Sequence, residues 1–485
     1  MKRAALAALG LGLAVAGVAA ARPLFTPSDP LAARQYYLTQ DHAFDAFGDT
    51  LPILNPVRVA IIDSGLDSTH PEFFPAAKKI WAAKTFVATD WNKDEQGHGT
   101  FIAGEIAAAV DNGEGIAGIA FPAQLIIAKI AGAEGTIDID DEAAAIRWAA
   151  DRGAQVINLS IGGLRDPTNP SDDMFSPTEA SAIEYAYRRG AVIVAAVGNS
   201  DEAPRQPWPW ASYPAALPHV IGVSALTQAG NVPTFSDRDK IYNDISAPGQ
   251  GIFSTLPFSL TKQHPSCVDQ GYSDCGPDLF RQGAGTSFAA PQVAAAAAVL
   301  IALKPSLKPD QVSNILERTA TDLNATNGCN ACPAGRDLFT GWGRLDISKA
   351  IAALSETLPP ADRLEPNDDA GTHAPVLPPA VSQVKATLDY WDDQLDVYKT
   401  RLVKGQIVRL GLSGPAGTTS HLLLWKPGTK SVNDLRRQNL RAAQSISPGS
   451  SHKLAYRVRA SGWYYVEVKL VTKGSGAYTL SITRK

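Results

Sequence analysis

From residue 57 onward, short apolar runs alternate with segments of helical periodicity, and this alternation constrains the fold more than any other feature of the chain. The apolar runs are continuous in hydrophobicity, as is typical of strands buried on both faces. Between them, Asp141–Arg152 and Pro177–Arg189 space their apolar residues as amphipathic helices do. The pattern predicts an α/β fold in three layers, a parallel sheet with helices on both faces. The predicted strands are Val57–Asp63, Leu125–Ile130, Val156–Ser160, Ala191–Ala196 and Val220–Val223.

Three short motifs supply a carboxylate, an imidazole and a hydroxyl in that order along the chain. They are Asp63-Ser64-Gly65, His98-Gly99-Thr100 and Gly285-Thr286-Ser287. A serine hydroxyl attacks only when a base takes its proton, and histidine titrates in the right range. A carboxylate then fixes the tautomer of the imidazole. We predict Ser287 as nucleophile, His98 as general base and then acid, and Asp63 as the group that orients His98. Asp63 ends a predicted strand, where parallel sheets bind ligands.

The sequences around these motifs resemble those of the subtilisin-like serine peptidases. The order Asp, His, Ser is the order found in subtilisins. The runs 57–67, 98–104 and 285–291 are similar to the family's aspartate, histidine and serine motifs, and the resemblance covers roughly residues 57 to 353. It implies a serine endopeptidase that hydrolyses peptide bonds in proteins through an acyl-enzyme and requires no cofactor for its chemistry.

The resemblance extends to the substrate side of the site. Asn199 matches the family's oxyanion asparagine, which would act with the backbone N–H of Ser287. A neighbouring stretch is similar to the family's substrate-binding edge, where a peptide adds as an extended strand. The residues assigned to substrate binding are Ser160, Ile161, Gly162 and Gly198. Trp208 and Trp210 either line the side-chain pocket or pack in their loop, and the sequence favours neither.

Two positions depart from the family pattern. Phe101 stands where the family often has a second histidine, and Phe288 follows the nucleophile where many members have methionine. Neither position belongs to the triad, so the resemblance still implies an active enzyme.

Structural calcium is common in the family, and this chain has candidate ligands for it. Asp29, Glu72 and the loop 111–114 lie where ligands are expected. Calcium takes six to eight oxygens, whereas the loop is short and position 72 carries a glutamate. The sequence therefore leaves structural calcium possible and assigns no metal ligand.

The first residues predict export. Lys2 and Arg3 precede an uncharged apolar run that ends in small residues, the layout of a secretory signal peptide over residues 1–21. The alternative is an uncleaved anchor, because the apolar run only just reaches spanning length. We expect a secreted, extracellular bacterial protein without stable membrane insertion after cleavage. Residues 22–56 then form an N-terminal arm. The apolar stretch Ala289–Leu303 is too short to span and predicts a buried helix.

The composition is that of a globular protein and excludes some partners. Hydrophobic residues make up 45% of the chain and charged residues 19%. The net charge of −4, without long runs of either sign, gives no electrostatic basis for binding nucleic acid. We expect a monomer that acts on proteins or peptides.

Four cysteines agree with an oxidising compartment. Cys267 lies near Cys275, and Cys329 near Cys332, which favours two local disulfides among three possible connectivities. The alternative for the second pair is a redox or zinc site, which would need a further ligand pair.

Residues 355–380 are rich in proline and predict a linker between the peptidase domain at 57–354 and a final domain at 381–485. Short alternating runs in the final domain predict a small all-β sandwich. Its sequence resembles the bacterial pre-peptidase C-terminal domain. Five aromatic residues there form either a binding face or core: Trp391, Trp425, Trp463, Tyr464 and Tyr465.

Two functions other than that of a peptidase are also considered, an esterase and a catalytically silent binding protein. An esterase would usually carry Gly-x-Ser-x-Gly, whereas Ala289 occupies the last position of that motif here. A catalytically silent binding protein would be expected to lack a triad residue, and all three are present together with Asn199.

Overall fold

The computed structural model describes residues 24–263, 272–274, 279–356, 364–371 and 374–485. The predicted signal peptide and the predicted Cys267–Cys275 pair lie outside the described residues, as does part of the predicted linker.

A seven-stranded sheet forms the centre of the larger part of the chain, and every neighbouring pair of its strands is parallel. The strand order is β2-β3-β1-β4-β5-β6-β7. The predicted parallel α/β fold is confirmed. The strands are β1 (Val57–Asp63), β2 (Ile80–Thr85), β3 (Ala123–Lys129), β4 (Val156–Leu159), β5 (Val192–Ala196), β6 (Val220–Leu226) and β7 (Ile245–Pro248).

Helices cover both faces of this sheet because alternate residues of each strand point to opposite sides. In β1, Val59 and Ile61 belong to one hydrophobic core, and Ala60 and Ile62 belong to another. Ala-rich helix α7 packs in the first core, and α4 and α5 pack in the second. The helices are α1 (Tyr36–Gln40), α2 (Ala76–Lys79), α3 (His98–Ala107), α4 (Ile139–Asp151), α5 (Pro177–Arg188), α6 (Phe258–Gln263), α7 (Ala290–Leu303), α8 (Pro309–Thr319) and α9 (Ile347–Ala353).

The two predicted amphipathic helices begin at side-chain caps. Asp138 accepts a hydrogen bond from the N–H of Asp140 and caps α4, and Ser176 accepts one from the N–H of Glu179 and caps α5. Pro177 follows Ser176 at the first helical position, where its fixed φ suits the helix and its missing N–H costs nothing. Local sequence therefore fixes where both helices start.

A small antiparallel sheet leads the chain into the Gly285-Thr286-Ser287 motif. It consists of β8 (Gln250–Thr255), β9 (Tyr272–Asp274) and β10 (Phe280–Ala284), in the order β8-β10-β9. A 3₁₀ turn, Thr286–Phe288, connects β10 to α7.

The C-terminal part is an all-β unit of two four-stranded antiparallel sheets, as predicted. One sheet has the order β11-β18-β13-β16, and the other has the order β12-β17-β14-β15. Trp425, Tyr464 and Tyr465 are buried in this unit, whereas Trp463 is exposed. The strands are β11 (Gln383–Asp389), β12 (Leu395–Leu402), β13 (Ile407–Ser413), β14 (Ser420–Trp425), β15 (Arg441–Ser445), β16 (Ser451–Arg457), β17 (Gly462–Leu470) and β18 (Ser475–Arg484).

Among the described residues, one helical segment, Thr286–Leu303, is long and apolar enough to cross a membrane. The prediction that this stretch is too short to span is therefore wrong, because the preceding 3₁₀ turn lengthens the helical segment to 18 residues. The segment is nevertheless 89% buried inside the protein, which agrees with the predicted core helix.

Candidate active site

Asp63 and His98 contact each other directly. Asp63 is the last residue of β1 and His98 the first residue of α3. His98 Nδ1 lies 2.9 Å from Asp63 Oδ1 and 3.0 Å from Oδ2. Burial opposes protonation of the imidazole, but the charge of Asp63 and its hydrogen bond outweigh that effect and raise the pKa of His98 above 6.5. The carboxylate therefore fixes the tautomer that leaves Nε2 free to accept a proton.

Asp94, a buried carboxylate outside the three sequence motifs, shapes the start of α3. It accepts hydrogen bonds from the Ser64 hydroxyl (2.7 Å), the Gly97 N–H (2.8 Å) and the Thr100 N–H (2.8 Å). The Ser64 hydroxyl in turn accepts one from the Gly99 N–H at 2.9 Å. Asp94 thereby joins the loop after β1 to the helix that carries His98. An acidic residue just before a helix start was the available sequence signal.

Lys129, at the end of β3, supports the same loop from the neighbouring strand. Its ammonium group is fully buried and donates to the Ser64 carbonyl (2.6 Å), the Lys93 carbonyl (2.8 Å) and Glu95 Oε2 (3.0 Å). A buried cation is tolerated when it is paired and hydrogen-bonded in this way. Lys129 therefore fixes the backbone directly after Asp63.

Ser287 is held against the end of β4 by a reciprocal pair of hydrogen bonds. The Ser287 hydroxyl donates to the Ser160 carbonyl at 3.1 Å, and the Ser160 hydroxyl donates to the Ser287 carbonyl at 2.7 Å. Asn158 donates to the Ser160 hydroxyl at 2.9 Å. The Ser287 hydroxyl thus points toward Ser160 in this conformation, and rotation about χ1 would redirect it. Catalytic hydrogen bonds are often looser without substrate.

Asn199 lies beside the nucleophile and its side-chain orientation is fixed. Its Oδ1 accepts hydrogen bonds from both the N–H and the hydroxyl of Thr286, each at 3.0 Å. Its Nδ2 lies 3.6 Å from the position that a Cβ on Gly285 would occupy. The amide group therefore presents its donor to the backbone of the Ser287 motif.

The two departures from the family pattern contact each other. The rings of Phe101 and Phe288 have centroids 4.3 Å apart, and Phe288 also lies 5.5 Å from the His98 ring. Both phenylalanines are buried. They form one apolar contact that joins the His98 helix to the Ser287 turn.

Two predicted substrate-binding glycines face the same side chain. A Cβ on Gly162 would lie 3.2 Å from Ser212 Cβ, and a Cβ on Gly198 would lie 3.0 Å from the same atom. Ser212 thus lies between the two backbone segments, and its hydroxyl donates to Asp237 at 3.4 Å. Trp208 is buried, and its indole N–H donates to the Arg165 carbonyl at 3.1 Å, so this side chain packs within its loop. Ile161 packs against the second core.

The residues considered for calcium face amide donors. The oxygens of Asp29 accept from the N–H groups of Asp111 (2.8 Å) and Asn112 (3.1 Å). Glu72 Oε1 accepts from the Ile116 N–H at 2.7 Å. Among the described residues, groups with metal-ligand spacing lie elsewhere. Among the described residues, Asp29 and Glu72 therefore do not gather the six to eight oxygens that calcium takes.

The described cysteines form a local pair. Cys329 is bonded to Cys332 with a Cα–Cα distance of 5.3 Å, and both are buried beside Leu226 and Leu323. A zinc site at this pair would need free thiolates, so the structure supports the disulfide alternative.

Residues 55–343 match the sequence profile of the subtilase family. The chain belongs to the subtilase family. Subtilisin DY from Bacillus licheniformis is 33% identical over 295 residues, which cover 61% of this chain and 90% of that relative. Subtilisin BL from Lederbergia lenta is 36% identical over 272 residues, or 56% of this chain and 86% of the relative. A cell wall-associated protease from Bacillus subtilis (strain 168) is 33% identical over 316 residues, 62% of this chain but 31% of the relative's length.

Solved structures resemble this subtilase over about two thirds of its length. A protease from Pseudoalteromonas arctica PAMC 21717 aligns with a TM-score of 0.52 at 25% identity and covers 68% of this chain and all of its own. A lanthipeptide protease aligns with a TM-score of 0.53 at 21% identity, over 68% of this chain and 99% of its own, and shows the shared fold. This subtilase is a serine-type endopeptidase, and its chemistry needs no cofactor.

Proposed function

We propose that this subtilase is a secreted endopeptidase that cleaves proteins with Asp63, His98 and Ser287 as its triad and Asn199 as an oxyanion donor. The observation that supports this most strongly is the contact of His98 Nδ1 with both oxygens of Asp63, at 2.9 and 3.0 Å. A histidine with only a surface role would not be expected to contact a buried carboxylate at the end of a strand, as His98 contacts Asp63.

The proposed reaction follows from these positions. The Ser287 hydroxyl turns from the Ser160 carbonyl toward His98, and Nε2 takes its proton as Oγ bonds to the scissile carbonyl carbon. The imidazolium is stabilised by Asp63 and passes its proton to the leaving amine as the C–N bond breaks. Water then attacks the acyl-enzyme with His98 again as base, and the acid product and free Ser287 are released.

The developing oxyanion would receive hydrogen bonds from Asn199 Nδ2 and from the backbone N–H of Ser287. Thr286 supports this role because its two hydrogen bonds to Asn199 Oδ1 hold the opposite end of the amide. A donor that is already oriented stabilises the transition state without reorganisation.

Substrate would bind as an extended strand along Ser160, Ile161 and Gly162, whose neighbour Gly163 is already paired with Tyr213. Gly198 would form the opposite wall of the side-chain pocket. Because main-chain hydrogen bonds are independent of side-chain identity, we expect cleavage within extended or flexible segments.

We further propose that residues 1–21 are removed on secretion and that the mature protein is a monomer. Residues 22–56 would form its arm, 57–354 its peptidase domain, 355–380 the linker and 381–485 a pre-peptidase C-terminal-like domain. Two antiparallel sheets between residues 383 and 484 support the last assignment.

A fluorophosphonate probe tests the proposal directly, because it bonds covalently to an activated serine. We expect the full chain to be labelled and Ser287→Ala to remain unlabelled. Ser171→Ala is the matched control, since Ser171 lies exposed in a loop and should be neutral. Labelling retained in Ser287→Ala, or absent from the folded wild type, would refute the assigned triad.

A further inference from the structure

A histidine and two carboxylates converge where the peptidase domain meets the C-terminal part. His219 lies in the turn before β6, and Glu365 and Asp368 lie in the segment that precedes β11. One ligand atom from each lies within 4.8 Å of the other two. These residues are far from the triad in sequence and contribute nothing to its hydrogen bonds.

The contact between His219 and Asp368 is close but is not a hydrogen bond. His219 Nε2 lies 2.6 Å from Asp368 Oδ2, the side chains are 12% and 10% exposed, and both atoms are buried from solvent. Neither atom makes a hydrogen bond to any described residue. A pair selected as an ion pair would align the N–H with the oxygen. Two lone-pair donors that converge without a hydrogen bond form an arrangement that one shared cation would satisfy.

The chain contains a His–Asp pair of ordinary geometry for comparison. His42 Nδ1 lies 2.7 Å from Asp45 Oδ2, almost the same separation, and this contact is a hydrogen bond. Both side chains of that pair are 39% exposed. The His219–Asp368 pair therefore differs from the His42–Asp45 pair in its burial and in its lack of a hydrogen bond, and not in the distance between the two atoms.

The imidazole of His219 is held in place before any ligand binds. Its ring stacks on Tyr187 with centroids 3.8 Å apart and an angle of 12°. A fixed ring direction lowers the cost of binding an ion, because less side-chain freedom is lost.

The surroundings favour a cation. The three residues line a cavity of about 460 Å³ that is also lined by Asp310, Asp389 and Asp393, with Arg318 as the basic residue among the lining side chains. Glu365 is shared with a second group of carboxylates, whose other members are Asp393 and Asp396. Carboxylates concentrated in a region of low dielectric attract positive charge strongly.

We propose that His219, Asp368 and Glu365 bind one divalent ion of the zinc class across this junction. An imidazole with two carboxylates is a set that zinc accepts, whereas calcium and magnesium prefer oxygen alone. Ligands 2.0–2.2 Å from a tetrahedral ion lie about 3.4 Å apart. The His219–Asp368 contact would therefore open by less than about 1 Å.

Such an ion would link the peptidase domain to the C-terminal part of the chain. The junction already contains a hydrogen bond from Arg436 to the Phe175 carbonyl (2.8 Å) and one from Arg188 to the Pro366 carbonyl (2.9 Å). Trp342 and Trp391 also meet across it, with ring centroids 5.2 Å apart. The ion would add bonds from the turn before β6 to the segment before β11.

The test uses the full chain with Ser287→Ala, which prevents self-digestion, after removal of bound metal. Cobalt(II) serves as an optical probe and zinc as competitor and calorimetric titrant. We expect about one zinc per chain, a cobalt spectrum that zinc abolishes, and an affinity at least about tenfold lower in His219→Asn. His42→Asn is the matched control and should bind zinc as tightly as the parent.

Thermal unfolding gives a second reading. Because zinc would bind the folded state, it should raise the melting temperature of the parent and of His42→Asn, but not of His219→Asn. Asp368→Asn should likewise show no rise in melting temperature with zinc, and it replaces His219→Asn if the histidine variant does not fold. Equal zinc binding in His219→Asn and the parent, no zinc binding at all, or binding of calcium alone would each overturn the proposal.

Discussion

Two opposing effects set the proton affinity of the His98 imidazole. Burial disfavours the imidazolium, while the charge of Asp63 and its hydrogen bonds favour it, and the balance raises the pKa of His98. A general base acts only when it is neutral. The raised pKa therefore moves the acid limb of activity upward in pH.

We expect kcat/KM to fall on the acid side with a midpoint above 6.5, as the raised pKa of His98 requires. Asp63→Asn removes the charge that raises it, so the midpoint should move to lower pH and kcat should fall about 10⁴-fold. Steady-state hydrolysis of a peptide substrate between pH 5 and pH 9 measures both effects. Asp45→Asn, which alters the exposed His42 pair, should leave the profile unchanged. A midpoint shared by Asp63→Asn and the wild type would contradict this account.

Asn199 offers a second test at the residue scale. If Nδ2 donates to the oxyanion, Asn199→Ala should lower kcat by about 10²–10³-fold and change KM little, because the bond forms in the transition state. Initial rates on one peptide substrate separate kcat from KM. Asn330→Ala, at an exposed position, is the control. A change confined to KM would instead show that Asn199 binds the substrate in its ground state.

At the scale of elements, the His98 helix lies unusually close to the loop after β1. A Cβ on Gly99 would overlap the carbonyl oxygen of Gly65, and the Gly99 N–H donates to Ser64. Glycine at this position lets α3 approach the strand end that carries Asp63. The distance between His98 and Asp63 therefore depends on a missing side chain.

Gly99→Ala should accordingly separate α3 from β1. We expect a loss of about 1–3 kcal/mol in the free energy of unfolding, typical of overpacking, together with a loss of activity. Gly132→Ala is the matched control because a Cβ there meets nothing within 4 Å. Thermal unfolding and peptide hydrolysis of the two variants measure both effects. Equal stability and activity in the two variants would show that the helix can shift without cost.

Elements with a strong local signal were predictable from the sequence, and those defined by contacts were not. β1 has the predicted bounds because its apolar run is continuous. β2 was missed because it is only partly buried and carries no continuous apolar run. The roles of Asp94 and Lys129 arise from loops that the fold brings together around Ser64. The position of Asp94 shortly before α3 is the only sequence signal for its role, and no spacing in the sequence indicates the role of Lys129. The His219–Asp368 contact joins residues that are remote in the chain.

At the scale of the whole molecule, buried carboxyl groups are spread over both parts of the chain. Burial raises the pKa of Glu72 to about 8 and that of Asp369 to about 7. Burial likewise raises the pKa of Glu142 and of Glu179, which face each other between α4 and α5. These groups bind protons more tightly in the folded state than in the unfolded chain.

This difference predicts that stability falls as pH rises. Where the folded state holds more protons, the free energy of unfolding decreases with pH. The contribution of Glu72 is fully present below its unfolded pKa, near 4.5, and is lost as pH rises through about 8. We expect the melting temperature of the Ser287→Ala chain to decrease from pH 5 to pH 9.

Glu72→Gln keeps an acceptor for the Ile116 N–H but cannot ionise, so its curve of melting temperature against pH should be flatter. Glu114→Gln, at an exposed position nearby, should follow the parent curve. A melting temperature that rises over this range, or a parallel curve for Glu72→Gln, would show that these carboxyl groups are ionised in the folded protein.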